Sequence, residues 1–558
     1  MTPTGPYRGA GRPEATYAIE RVIDVAAREL GIDPLELRRK NLIPSSAMPF
    51  KTGLVFTYDS GDFARGMTMA LDVADQSGFE KRRAEARTRG KLRGLGIANP
   101  IEVAGGPYTG VNPDTAEVRV NPDGSVSLFA GSTSMGQGNE TAFVQIVCDR
   151  LGVAPERVQV FAGDTDMLGA GRGNGGSGAL TVGGSAVTRA TEKIVERGRR
   201  IAAHQLEAAP EDVVLRDGKF SVKGTDKGVA WGAIARAAYS PKQIPAGLES
   251  GFSEIAAFMP PAVTFPNGSH VCEVEIDPDT GVVSIVRYSV VDDVGRMVNP
   301  MLVKGQIHGG IAQGLGQGLF EHLAYDGETG QLLAGSFMDY AMPRADDMPS
   351  FEVDSHEVPT AVNPLGAKGV GEAGTVGAIA ALMNAVNDAL APLGVRHLDM
   401  PLTPERVWRA IHYVGGPDTG LVRIERYAVV DDVGRMVNPM LVKGQIHGGI
   451  VQGLGQALFE DLTYDSETGQ LLAGSFMDYA MPRADDVPAF EVDSHEVPTA
   501  INPLGAKGVG EAGTVGALPA LVNAVNDALA PLGVRHLDMP VTPERVWRAI
   551  HGTTARGA

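Results

Sequence analysis

A single carboxylate set in a run of glycines is the residue of this sequence best placed to act on a reacting group. Glu372 follows Gly366-Ala367-Lys368-Gly369-Val370-Gly371, with Lys368 four positions before it. Glycines let a backbone take positive φ and approach a ligand closely, so an acid on such a loop can be presented to a reacting centre with little in the way. The ten residues from Gly366 to Thr375 recur unchanged from Gly505 to Thr514, which puts Glu511 where Glu372 stands. Taken alone, such a loop is more often a tight turn ahead of a helix.

Two further glycine loops carry polar groups. Gly131-Ser132-Thr133-Ser134-Met135-Gly136-Gln137-Gly138-Asn139-Glu140-Thr141 opens a helix with Phe143, Ile146, Val147 and Leu151 on its apolar face. A helix N-terminus behind a glycine loop offers free N–H groups and a favourable dipole to an anion. Gly136-Gln137-Gly138 does not follow the dinucleotide-binding pattern, and no βαβ context is read after it, so nicotinamide binding is disfavoured. The other loop runs from Gly163-Asp164-Thr165-Asp166 through Ser177-Gly178 to Ser185 and suits a second wall of a cleft or a flexible linker. A fourth, Tyr7-Arg8-Gly9-Ala10-Gly11-Arg12, sets two arginines among glycines. That suits an anion or a polarised oxygen, and equally a structural turn. None of the histidines forms H-x-H or H-E-x-x-H, so a zinc site held by the protein is not expected.

The elements that must position these loops read as follows. A helix after Arg12 carries Ile19, Val22, Ile23, Ala26 and Leu30 on one face, charges on the other, and ends at Gly31. Asp114 to Ala130 alternates around Asn121-Pro122-Asp123-Gly124 as a β-hairpin. Val271 to Ile276 is a strand that can pair across the turn at Asp277–Gly281. Residues 278–412 and 417–551 are near copies at a fixed offset, too long a period for a solenoid repeat. The second copy has only Tyr413-Val414-Gly415-Gly416 in place of that upstream strand, so the first is expected to be structurally the more complete. Both glutamates precede a helix, and Pro519 is read as the first helical position of the second. The fold class expected is α+β, without a doubly wound sheet.

The chain of 558 residues, 43% hydrophobic and 21% charged, reads as a globular protein of several domains. A formal charge of −18 argues against nucleic acid or an anionic membrane surface as the main partner. No apolar run is read as reaching the ~20 residues that span a bilayer. Cys148 and Cys272 suggest neither a disulfide framework nor a metal site, and a reducing, cytoplasmic setting fits them.

Taken together and in order, Tyr7-Arg8-Gly9-Ala10-Gly11-Arg12, Met135-Gly136-Gln137-Gly138 and Lys368-Gly369-Val370-Gly371-Glu372 resemble the molybdenum-binding large subunit of the xanthine dehydrogenase and aldehyde oxidase family, most nearly the bacterial carbon-monoxide-dehydrogenase-like chains. The resemblance implies an elongated, multi-lobed molybdopterin-binding architecture. Its lobes would be a partial first lobe at 1–130, a second cofactor-binding lobe at 131–277, a C-terminal lobe with the glutamate loop at 278–412, and the duplicate at 417–551. It implies an oxidoreductase that hydroxylates an aldehyde, an N-heterocycle or a similar small molecule with water as oxygen source. The cofactor implied is molybdopterin, in its cytosine dinucleotide form, whose dithiolene rather than the protein holds molybdenum. Electrons would pass to an iron–sulfur small subunit and an FAD-binding medium subunit. Glu372 would be the general base, with Glu511 its duplicate alternative, and a base for such a step belongs in a partly dry site. The cofactor would be held by Arg8, Gly9, Ala10, Gly136, Gln137, Gly138, Thr141, Ser177, Gly178, Lys368, Gly369, Val370 and Gly371. Carbon monoxide dehydrogenases of this type have a cysteine where this chain has Gly9, so oxidation of carbon monoxide is not expected. Roughly the first half of the family's large subunit has no counterpart here, and the chain alone is expected to bind little molybdopterin. Two rival readings are a fragment that serves only as a subunit-binding module, and a phosphate-binding protein without redox chemistry.

Overall fold

The computed structural model describes residues 5–105, 113–325, 330–395, 397–412, 420–465, 468–475 and 479–554. They form two compact units, the first of residues 1–321, 342–392 and 396–404, the second of 322–341, 393–395 and 405–558. The fold is α+β. In the first unit one mixed sheet runs in the order Phe351–Ser355, Val283–Asp293, Asn267–Ile276, Leu92–Ala98. A second runs Ser253–Phe258, Asp114–Val120, Val126–Ala130, Val158–Ala162. Strands expected in three separate lobes thus share sheets.

The Ala373–Leu390 helix, which follows Glu372, is the core of this unit. All its residues but Asp388 are buried. Strand Leu92–Ala98 lies directly on it, because a Cβ on Gly94 or Gly96 would stand 2.0–2.1 Å from the carbonyls of Ala385 and Ala381. Helix Pro300–Leu319 packs against it just as closely. A Cβ on Gly374 would meet the Ile307 carbonyl at 2.4 Å, and Thr375 Oγ1 donates to the Gly310 carbonyl at 3.0 Å. By length and composition this helix continued to Leu393, and its near copy at Ala512–Leu532, could each span a membrane, contrary to the sequence reading. In the first unit that apolarity has another cause, burial on every side.

The first helix, Arg12–Leu30, turns the expected way along the chain but the opposite way about its axis. Ile19, Val22, Val25 and Leu30 are exposed, while Thr16, Glu20, Arg21, Asp24 and Ala27 are buried. The polar side goes inward because it finds partners there. Arg38 bridges Glu20 at 2.6 Å and Asp24 at 2.8 Å, and Arg21 donates to Asn384 Oδ1 at 2.9 Å on the core helix. Hydrophobic periodicity reports a face, and only tertiary partners decide which face is covered.

Two other readings are corrected. The hairpin at Asp114–Ala130 forms, but helix Asn139–Leu151 then leads to Val158–Ala162, which pairs in parallel with Val126–Ala130. The Gly136 loop therefore sits in a βαβ unit at one edge of the sheet, whose remaining strands are antiparallel. Pro519 stands inside helix Ala512–Leu529 rather than at its start. An interior proline costs about 3 kcal/mol through its missing N–H and its clash. It is tolerated here because Pro519 is exposed, whereas Ala380, its counterpart, is wholly buried.

The second unit repeats part of this with a smaller core. Tyr427–Asp431 pairs in parallel with Phe490–Ser494 as Val283–Asp293 does with Phe351–Ser355. Among the described residues no strand pairs on its other side, and residues 422–426, the counterpart of Val283–Arg287, are not strand. Residues 413–416 lie outside the described residues. Val515 is 72% exposed where Val376 is 0%, and Val430 is 66% exposed where Val291 is 1%.

If the polar face of the first helix is the structural one, Arg38→Met should destabilise the protein by about 3–5 kcal/mol, the cost of stranding buried carboxylates. Ile19→Ser should stay within about 0.5 kcal/mol. Chemical denaturation of both variants checks this, and a larger loss for Ile19→Ser would reverse the orientation.

Candidate active site

Glu372 is the residue from which the core helix starts, so its carboxylate lies at the positive end of a helix dipole. The glycine loop before it is pinned from behind. Lys368, fully buried, places its ammonium 2.5 Å from Asp293 Oδ2, and its backbone N–H donates to the Val294 carbonyl at 2.7 Å. Thr264 Oγ1 donates to the Lys368 carbonyl at 2.6 Å. Gly369 takes φ +107°, and a side chain there would press on Ser177 and Ala104.

In front, the carboxylate is held from two directions. Gly9 N–H donates to Glu372 Oε1 at 3.0 Å, and Ser177 Oγ lies 3.0 Å from Oε2 while accepting the Glu372 N–H at 3.1 Å. Ser177 has φ +50°, a left-handed backbone uncommon outside glycine, at the point where its hydroxyl is needed. A second carboxyl, Glu102, approaches the same hydroxyl at 2.6 Å. Burial first, then the neighbouring Glu372 charge, pushes the Glu102 carboxyl well above the ordinary carboxylate range.

Arg8 is a strut. Its Nε donates to the Gly371 carbonyl, Nη1 to Gln313 Oε1 at 2.9 Å, and Nη2 to the Gln306 carbonyl at 3.0 Å. Burial lowers its pKa, and the Glu372 charge opposes that. It thereby ties the glutamate loop to helix Pro300–Leu319.

These groups border a cavity of about 790 Å³ in the first unit, walled by residues 6–8, 135–139, 174–177 and 369–372 and by part of the 294–313 segment. Of the residues expected to bind a cofactor, Arg8, Gly136, Gln137, Gly138, Ser177, Gly369, Val370 and Gly371 line it, as does Glu372. Gly9 touches Glu372 from the side. Ala10, Thr141, Gly178 and Lys368 are not among the lining residues. Ala10 turns outward at φ +49°, Thr141 is on the exposed side of its helix, Gly178 packs on Arg172, and Lys368 is spent on Asp293. Gln137 folds back on its own loop, accepting from the Met135 N–H and donating to the Thr133 carbonyl at 3.3 Å. Glu511 lies in the second unit, exposed, and no hydrogen bond to its carboxylate is found among the described residues.

Sequence reading missed Glu102, Gln306 and Gln313. The glutamines stand seven positions apart, hence on one face of their helix. Glu102 carries no such signal, lying between Ile101 and Val103.

Residues 70–349 and 416–488 match a family profile described as a molybdopterin cofactor-binding domain, and residues 1–42 match a second profile of the same description. The carbon monoxide dehydrogenase large chain of Hydrogenophaga pseudoflava is 39% identical over 409 residues, covering 71% of this chain and 51% of that one. The nicotine 6-hydroxylase large subunit of Paenarthrobacter nicotinovorans is 39% identical over 418 residues, covering 73% and 51%. Quinoline 2-oxidoreductase from Pseudomonas putida 86 superposes with a TM-score of 0.70 at 38% identity, covering 74% of this chain and 53% of the other. The chain thus spans about half the length of the curated relatives it matches.

The two identical glycine loops give this geometry an internal control. Only in the first does the glutamate N–H reach a side-chain acceptor among the described residues. A hydrogen bond of this kind, worth about 1–1.5 kcal/mol, slows exchange about tenfold. Hydrogen–deuterium exchange should therefore be slower in peptides reaching from the first loop to Ala380 than in those reaching Pro519, which differ in mass. Equal rates would mean that Glu372 is not held as described.

Proposed function

From the premise that this chain belongs to the molybdopterin cofactor-binding family that includes the carbon monoxide dehydrogenase and xanthine dehydrogenase large chains, we propose that it is the cofactor-binding chain of a molybdenum hydroxylase with Glu372 as general base. The observation that carries the reading is one carboxylate, clamped between Gly9 and Ser177 at the head of a helix, on the wall of a cavity made of glycine loops.

The cavity fits the group. At Gly136 and Gly175 a Cβ would project into open space, so the backbone can lie against a ligand. The helix that begins at Asn139 has no side-chain cap, and its first N–H groups are left to an outside acceptor such as a phosphate or a pterin carbonyl. A pterin with a dinucleotide tail is a large, polar, anionic occupant of the kind those donors suit. Among the described residues no set of three His, Cys, Asp or Glu side chains is grouped as metal ligands, and a metal carried by its own organic ligand asks for none. The bound cofactor would supply the two-electron redox chemistry.

The residues of this chain do the rest. The Met135–Asn139 and Asn174–Ser177 loops hold the pterin and its tail. Arg8 fixes the spacing between the glutamate loop and Gln306 and Gln313, whose amides face the cavity and can orient a small polar substrate. Glu372, held by the Gly9 N–H at the head of the helix, takes up the proton released as water's oxygen is transferred. The substrate is an aldehyde, an N-heterocycle or a similar small molecule, and electrons leave to iron–sulfur and flavin partners. The second copy is read as a subunit-docking element, a view supported by its exposed Val430, Ile501, Leu504 and Val515.

In a complex carrying the cofactor, Glu372→Gln keeps shape and removes the proton acceptor, so turnover should fall about 10²–10⁴-fold with molybdenum retained. Glu511→Gln should leave turnover unchanged. An exchange of the two phenotypes would move the site to the second copy, and full activity in both would remove the base from this loop.

A further inference from the structure

The hydroxyl of Ser177 has more partners than its own proton can serve. A serine hydroxyl offers one proton and two lone pairs. One lone pair receives the Glu372 N–H at 3.1 Å. Two carboxyl oxygens remain in contact, Glu102 Oε1 at 2.6 Å and Glu372 Oε2 at 3.0 Å. The serine proton satisfies one of them. The other contact brings two oxygens together and is a hydrogen bond only if that carboxyl carries a proton.

The surroundings say which one does. Glu102 is 1% exposed, and its Oε2 has no hydrogen-bond partner among the described residues, so its charged form would be both dry and half unsatisfied. Its backbone is fixed by donation to the Pro266 carbonyl at 2.7 Å. Glu372 instead has the Gly9 N–H, the helix terminus and the open cavity. The charged groups acting on the pair are Glu372 itself with Arg8 and Arg12 on the first loop. Arg172 is committed to the Gly105 carbonyl at 2.9 Å, and Lys368 to Asp293. Burial and then the Glu372 charge favour the neutral form of Glu102, as does direct contact with the Glu372 carboxyl, while the Ser177 hydroxyl and, more weakly, Arg12 oppose it.

We propose that Glu102 is a buried neutral carboxylic acid that donates to Ser177 Oγ, which in turn donates to Glu372 Oε2, so that Glu102 is the positioning residue that holds Glu372 as an oriented carboxylate. The proposal rests on reading Glu372 as the base. Its logic is electrostatic: two ionised carboxylates across one hydroxyl repel, and the proton that relieves them rests on Glu102, the drier of the two, which leaves Glu372 free to accept a proton. Ionising Glu102 at high pH removes the donor to Ser177, so activity should fall on the alkaline side. Glu511, outside this arrangement, has no such partner among the described residues.

The test needs no cofactor. Infrared spectra of the purified full chain at neutral pH should show the carbonyl stretch of a protonated carboxylic acid, shifting in heavy water. The band should vanish in Glu102→Gln, persist in Glu372→Gln and shift in Ser177→Ala, which also covers the case of a Glu102 variant that does not fold. A missing band, or one lost with Glu372 instead, overturns the proposal. In the loaded complex, Glu102→Gln should abolish the alkaline fall in kcat, and Glu102→Ala should lower kcat about tenfold, the worth of one hydrogen bond. An alkaline limb unchanged in Glu102→Gln also overturns it. If the band behaves as stated but Glu372→Gln keeps its turnover, the reading of Glu372 as base fails and the proton on Glu102 stands.

Discussion

The structure depends on keeping one carboxylate in place at the head of an apolar helix. Glu372 cannot hold itself there, since glycines precede it and the helix behind it is almost wholly buried. Its position is borrowed from residues far away in the chain: Gly9, Arg8 through Gly371, and Ser177. The rest of the first unit can be understood as the means of bringing these together. Strand Leu92–Ala98 and helix Pro300–Leu319 close on the core helix at glycines, where no side chain keeps the backbones apart. The buried Lys368–Asp293 pair sets the loop's depth. A pair of this kind adds little net stability against an apolar alternative, and its value here is in fixing geometry.

The internal copy shows what that surrounding frame contributes. Identical residues from Gly505 to Thr514 form the same local structure, including the Lys507–Asp432 pair and the helix start at Glu511. The Lys507 side chain is nevertheless 38% exposed where that of Lys368 is 0%. Local sequence therefore specifies the loop, and the frame specifies its chemistry. Pro519 marks the difference at the level of sequence, being acceptable on an exposed helix and costly at the buried position of Ala380.

Much of the candidate site was legible because it is written in short contiguous motifs. The glycine loops, the helix starting after Gly138 and the glutamate ahead of its helix all follow from local rules. What was not legible depends on partners distant in sequence. The first helix shows a clean apolar face, yet Arg38 and Asn384 make its polar face the buried one. The parallel pairing of Val158–Ala162 could not be inferred from that short strand alone. Glu102 reaches Ser177 and Glu372 across intervals that no spacing rule spans, and Lys368 is paired with Asp293, 75 positions away, rather than free for a ligand.

Of the two glutamate loops, only the first borders the cleft. The most direct measurement is the ratio of molybdenum to this chain in the complex purified from cells that make the cofactor and the partner subunits. One molybdenum per chain is predicted, because only the first loop has Gly9, Ser177 and the glycine walls around it. A ratio of two would mean that the second loop builds a site of its own, and a ratio of zero in an intact complex would contradict the cleft as a cofactor site.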